Sequence, residues 1–145
     1  MRKRLGVVAL TGVLAIAAIQ LVPYGRDHTN PPVVLEPEWD SPLTAQLVDN
    51  ACYDCHSNET RWPWYSHVAP VSWFVYRDVI EGREDLNFSE MGREDNETAK
   101  AAETVEDGEM PPLRYVVNHP EARLDDRERE ALIRGLNQSL GRGAG

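Results

Sequence analysis

The 145-residue sequence predicts an all-α protein. Three observations carry this reading: an uncharged apolar run from Leu5 to Val22, four later segments with helical spacing or helix-end signals, and no stretch that reads as a strand.

The apolar run follows the basic start Met1-Arg2-Lys3-Arg4 and is 18 residues long, about the minimum for a helix to cross a bilayer. Basic residues on its N-terminal side predict that this end stays in the cytoplasm and the remainder is exported. Residues 1–23 are therefore expected to form an N-terminal transmembrane helix. A cleaved signal peptide is the alternative, although Ala15-Ile16-Ala17 lies inside the run rather than after it. Residues 24–40, with Pro31-Pro32 and Pro37, read as a Pro-rich linker, and residues 41–145 as one compact domain. The expected location is the cytoplasmic membrane, crossed once, with the C-terminal domain in the periplasm or extracytoplasmic space.

Within that domain, Ser41-Pro42 is an N-cap followed by proline at the first helical position, and Leu43, Leu47 and Val48 supply an apolar stripe. This predicts a helix from Pro42 to about Tyr53. Pro70 opens a second helix, marked by Val71, Phe74, Val75 and Val79 and stopped by Gly82 near Glu81. Arg83 to Asn96 is strongly charged and reads as a surface loop. A third helix is expected from Asn96 to Glu106, with Gly108 as its stop. After it, Glu109-Met110-Pro111-Pro112 is read as an extended strap continuing to Val117. Asp125 with Glu128 three residues later forms a capping box for a last helix, whose Leu132, Leu136 and Leu140 share one face. Gly141 to Gly145 reads as a frayed tail.

The net charge of -9 excludes a basic nucleic-acid-binding face, and beyond Arg2, Lys3 and Arg4 the balance is 12 basic against 24 acidic residues. Such a surface suits transient docking to a redox partner protein with a basic face, or serves solubility alone.

Both cysteines of the chain lie in Cys52-Tyr53-Asp54-Cys55-His56. Cys-x-x-Cys-His is the attachment signature of c-type haem, with a thioether from each of Cys52 and Cys55 and His56 as an axial ligand of the iron. A thioredoxin-like use of Cys-x-x-Cys lacks its βαβ context, and a zinc site would need further ligands from scattered histidines. Electron transfer requires a second strong axial ligand. Met110 on the proline-stiffened strap is the leading candidate, and Met91, His67 and His119 are the others; His28 lies far out in the linker. Trp62, Trp64 and Tyr65, three aromatics in four residues around Pro63, are expected to wall the haem crevice.

The combination Cys-Tyr-Asp-Cys-His-Ser-Asn-Glu-Thr-Arg-Trp-Pro-Trp-Tyr at 52–65, Ala69-Pro70-Val71-Ser72-Trp73 and Met110-Pro111-Pro112 resembles the bacterial haem-binding-domain family of small, membrane-anchored cytochrome c-like proteins. The resemblance implies a cytochrome c-like helical domain around one covalent haem, with Cys52, Cys55, His56 and Met110 at its haem positions. Met91-Gly92 departs from the pattern, where an aromatic residue is expected. The expected function is a c-type cytochrome carrying single electrons at the outer face of the membrane. The alternative is a haem-based peroxidase or a diatomic-gas or redox sensor with a labile sixth ligand.

Overall fold

The computed structural model describes residues 2–141, so the tail predicted at the C-terminus lies, beyond Gly141, outside the described residues. Seven α-helices are found among them. These are α1 (Arg2–Ile19), α2 (Pro42–Ala51), α3 (Tyr53–His56), α4 (Val71–Asp85), α5 (Ala101–Glu106), α6 (Leu113–Val116) and α7 (Asp126–Leu140). Short 3₁₀ turns cover Trp64–His67, Thr98–Lys100 and Pro120–Ala122. Among the described residues the only β-type pairing is an isolated bridge between Leu35 and Glu90. The all-helical expectation therefore holds.

The transmembrane helix does not. No helix of the described residues is long and apolar enough to cross a membrane. The 18 residues of α1 include Arg2, Lys3 and Arg4, and the helix stops at Ile19. Its uncharged part, Leu5 to Ile19, spans about 22 Å at 1.5 Å per residue, against roughly 30 Å of bilayer hydrocarbon. Gln20, Leu21 and Val22, which the apolar run needed, leave the helix in a turn with i→i−3 hydrogen bonds.

The chain divides into two compact units, Met1–Thr29 with Trp62–Asp78, and Asn30–Arg61 with Val79–Gly145. In the first, the Gln20 side chain pairs with the Ala69 peptide, donating from Nε2 to Ala69 O at 2.9 Å and accepting from Ala69 N at 3.0 Å. Gly25 has φ +75 and lies so near the Ser72 carbonyl that a Cβ would stand 2.8 Å from its oxygen.

The second unit holds the core of Leu47, Val48, Phe88, Val105, Leu132 and Leu136. α2 opens as its sequence predicts, with Ser41 accepting from Thr44 N and Pro42 at the first turn. Its buried face is Thr44, Leu47, Val48 and Ala51, an i, i+3, i+4, i+7 set, while Leu43 is exposed. α7 carries the predicted capping box between Asp125 and Glu128 and buries Leu132, Leu136 and Leu140. Gly135 on that face meets Thr44, and a Cβ there would fall 2.1 Å from Thr44 Oγ1. Gly135→Ala is thus expected to lower the urea-unfolding free energy by about 2 kcal/mol through overpacking. Thr44→Ala in the same chain should recover part of the loss; an unchanged midpoint in the single variant would show that the two helices can part at no cost.

Three further expectations are corrected. α4 runs through Gly82 to Asp85 instead of stopping near Glu81. The Met110 strap turns into α6 at Leu113 rather than staying extended throughout; Pro112, still extended at φ -63 and ψ 140, is the N-cap, and its carbonyl accepts from the amides of Tyr115 and Val116. The charged 83–96 segment is not a surface loop throughout, since Leu86, Asn87, Phe88 and Ser89 are all buried.

Candidate functional site

α2 ends because Cys52 leaves helical geometry, at φ -127, while its amide still donates to Val48 O at 2.9 Å. The chain restarts at once as α3, where the amides of Cys55 and His56 both donate to Cys52 O. The helix predicted to reach Tyr53 is thus two elements, and the second is a single turn carrying Cys55 and His56, with Cys52 at its N-cap. Ser57 Oγ closes that turn by donating to Tyr53 O at 2.8 Å. Tyr53 packs in the core, its ring stacked on Phe88 with centroids 5.9 Å apart.

Cys52, His56 and Met110 line one crevice of the second unit, with Leu86, Phe88, Val105 and Leu136 supplying apolar wall and the exposed Asp85, Glu97 and Lys100 supplying charge. About 600 Å³ of empty space lies within it, counted out to the solvent. The two cysteines are not joined in a disulfide. Burial pushes the Cys52 thiol up to about 12, with Cys55 adding to the shift, so the sulfur keeps its proton at neutral pH.

His56 is held by its Nδ1, which lies 2.8 Å from Gly82 O and 3.0 Å from Leu86 O. Carbonyl oxygens only accept, so Nδ1 carries the proton and Nε2 keeps its lone pair, the arrangement of an imidazole ligand oriented by backbone. Burial lowers the His56 pKa below its ordinary value, which favours the neutral, ligating form. Gly82 makes this contact possible. A Cβ there would stand 2.7 Å from the Cys55 carbonyl oxygen, so only glycine lets α4 come this close to the motif.

The chain leaving the motif is fixed by polar side chains. Asn58 N donates to Ser89 Oγ, Asn87 Nδ2 donates to Asn58 Oδ1, and Phe88 N donates to His56 O. Arg83, itself buried, donates from Nε to Ser57 O and from Nη2 to Thr60 Oγ1 and Asn30 Oδ1, each at 2.8 Å.

Met110 reaches the crevice from the C-terminus of α5. Gly108 has φ +75, its amide donates to Val105 O, and the Glu109 amide donates to Thr104 O, which together make a Schellman stop. Met110 N also donates to Thr104 O, at 3.0 Å. Met91 is placed differently, with its sulfur 3.9 Å from Asn96 Nδ2. His119 stacks on Tyr115, and His28 lies against Trp62 and His67 in the other unit. Trp62, Trp64 and Tyr65 also belong to that unit, whereas every residue lining the crevice belongs to the unit of the cysteines. Trp62 stacks on His28 at 4.2 Å, and Trp64 is exposed with its ring edge-on to Tyr65.

Sequence reasoning missed Asp54, Gly82, Arg83, Asn87, Ser89 and Tyr115 as parts of the site. Asp54 stood inside the motif, and the alternation of apolar and polar residues in Leu86-Asn87-Phe88-Ser89 was the signal for a half-buried segment.

An apolar crevice that gathers a thiol, an imidazole with its Nε2 lone pair available and a thioether is a fitting environment for a flat, largely apolar iron macrocycle, and it defines a haem-binding protein. A family model described as haem-binding domain matches residues 14–138, and the chain belongs to that family. Neither the comparison with curated proteins nor that with solved structures found a match.

Proposed function

We propose that the protein is a c-type cytochrome that holds one haem covalently and carries single electrons. Cys52 and Cys55 would hold the haem through their sulfurs, and His56 and Met110 would supply the nitrogen and sulfur ligands to its iron. The haem supplies the one-electron couple; the chain orients it, excludes water and sets its potential. The convergence of Cys52, His56 and Met110 on one crevice carries this reading. We place the domain outside the cytoplasm, with residues 1–23 as the export signal; the fifteen uncharged residues of α1 fit the length of a signal-peptide core. The acidic surface suits a redox partner with a basic docking face.

The test is a pyridine haemochrome assay and oxidised and reduced spectra of protein made with cytochrome c maturation machinery, with Met110→Ala beside it. The wild type is expected to carry one covalent haem and a methionine–iron absorption band, and to bind carbon monoxide slowly. Met110→Ala should lose the band, bind carbon monoxide at once and show a lower reduction potential. Absence of covalent haem would remove the cytochrome reading, and immediate carbon monoxide binding by the wild type would favour a sensor or peroxidase instead.

A further inference from the structure

We infer that the hydrogen bond from Tyr115 to Asp54 is the brace that keeps Met110 at the crevice, which makes Tyr115 a positioning residue for the sixth iron ligand. The inference rests on ligation by Met110 as proposed above.

Asp54 is the residue between the two cysteines whose carboxylate turns inward, with only 9% of its side chain exposed. Its Oδ1 accepts from the Arg61 amide at 3.0 Å and from Arg61 Nε at 3.1 Å. Its Oδ2 accepts from the Tyr115 hydroxyl at 2.8 Å. Sixty-one positions separate these two side chains, so this bond ties the haem-attachment turn to the far end of the Met110 segment.

Met110 lies between two fixed points. On one side its amide is bound to Thr104 O beside the Schellman stop of α5. On the other, Pro111 and Pro112 limit the backbone and deliver the chain into α6. That four-residue helix fully buries none of its residues; Leu113, its first residue, is 79% exposed and Val117, just past its end, 68%. Apolar burial contributes little to holding α6, since Tyr115 and Val116 are only half-buried, and the tie to the cysteine turn is made by the Tyr115 hydroxyl on Asp54, with the Tyr115 ring stacked on His119 at 4.0 Å. Removing the hydroxyl leaves the stack and the looser approach of His119 Nδ1 to Asp54 Oδ2 at 4.0 Å, but takes away the direct hydrogen bond from Tyr115 to the cysteine turn.

The decisive comparison uses wild type, Tyr115→Phe and Met110→Ala, each matured with covalent haem. Haem content, the methionine–iron band of the oxidised protein and the carbon monoxide binding rate of the reduced protein are measured on all three. Tyr115→Phe is expected to carry as much covalent haem as wild type, to show a weakened band, and to bind carbon monoxide at least tenfold faster. A variant with the wild-type band and rate, beside a Met110→Ala protein that has lost the band, would overturn the brace while leaving methionine ligation intact. If Met110→Ala matches wild type in both, methionine ligation itself fails and the inference goes with it.

Discussion

Gly82→Ala is expected to destabilise the holoprotein by about 3 kcal/mol and to reduce the yield of covalently attached haem severalfold. Gly82 lies inside α4, where helix propensity alone predicts the opposite sign, a gain of about 1 kcal/mol for alanine. The close approach decides against propensity. The added Cβ would meet the Cys55 carbonyl oxygen at 2.7 Å and the Cys55 Cβ at 3.2 Å. A carbonyl in a hydrogen-bonded turn has no rotamer by which to move aside, so the strain lies at the upper end of the usual overpacking cost of about 1–3 kcal/mol. If α4 shifts to relieve it, the Gly82 carbonyl leaves His56 Nδ1, and the imidazole loses one of the two acceptors that set its tautomer and direction. Urea denaturation of the matured protein and the haemochrome yield per chain measure the two effects. A variant more stable than wild type with full haem content would show that Gly82 serves the helix only.

The parts of this molecule that were legible in its sequence are those written locally. The capping pairs Ser41–Thr44 and Asp125–Glu128, the leucine face of α7 and the stop at Gly108 each depend on residues within one or two helical turns, and each is found where local pattern places it. The Cys-x-x-Cys-His spacing is likewise local, and it falls on the single turn of α3 with Cys52 at its N-cap. What could not be read is long-range. Asn87 and Ser89 look like surface residues among Arg83, Glu84, Asp85, Arg93 and Glu94, and they are buried because Asn58, some thirty positions away, satisfies them. Gly82 carries the signature of a helix end, yet its role depends on a carbonyl 27 positions earlier. The apolar run to Val22 is longer than α1, because the chain turns at Gln20, whose amide pairs with Ala69. Hydropathy counts residues and is blind to where a helix stops.

Arg83→Leu is the second substitution expected to act strongly, with a loss of about 3–5 kcal/mol in unfolding free energy. Arg83 is 8% exposed and its guanidinium reaches three acceptors, Ser57 O, Thr60 Oγ1 and Asn30 Oδ1, all at 2.8 Å. Leucine nearly fills the alkyl part of the space but offers no donor, and each stranded buried acceptor costs about 1–3 kcal/mol. Asn30 is exposed, so water can serve its Oδ1, and Thr60 keeps its own hydrogen bond to Asp54 O, which together keep the sum in the lower part of that range. Against a total stability of roughly 5–15 kcal/mol for a domain of this size, such a loss is severe. Arg83→Lys separates charge from geometry: one ammonium cannot serve the fork of Nε and Nη2, so lysine should recover less than half of the loss. Because Ser57 to Thr60 leave the haem motif directly, the leucine variant should also release His56 from its fixed orientation and broaden the spectrum of the oxidised haem. Equal urea midpoints for Arg83→Lys and wild type would mean that charge rather than the fork holds this segment.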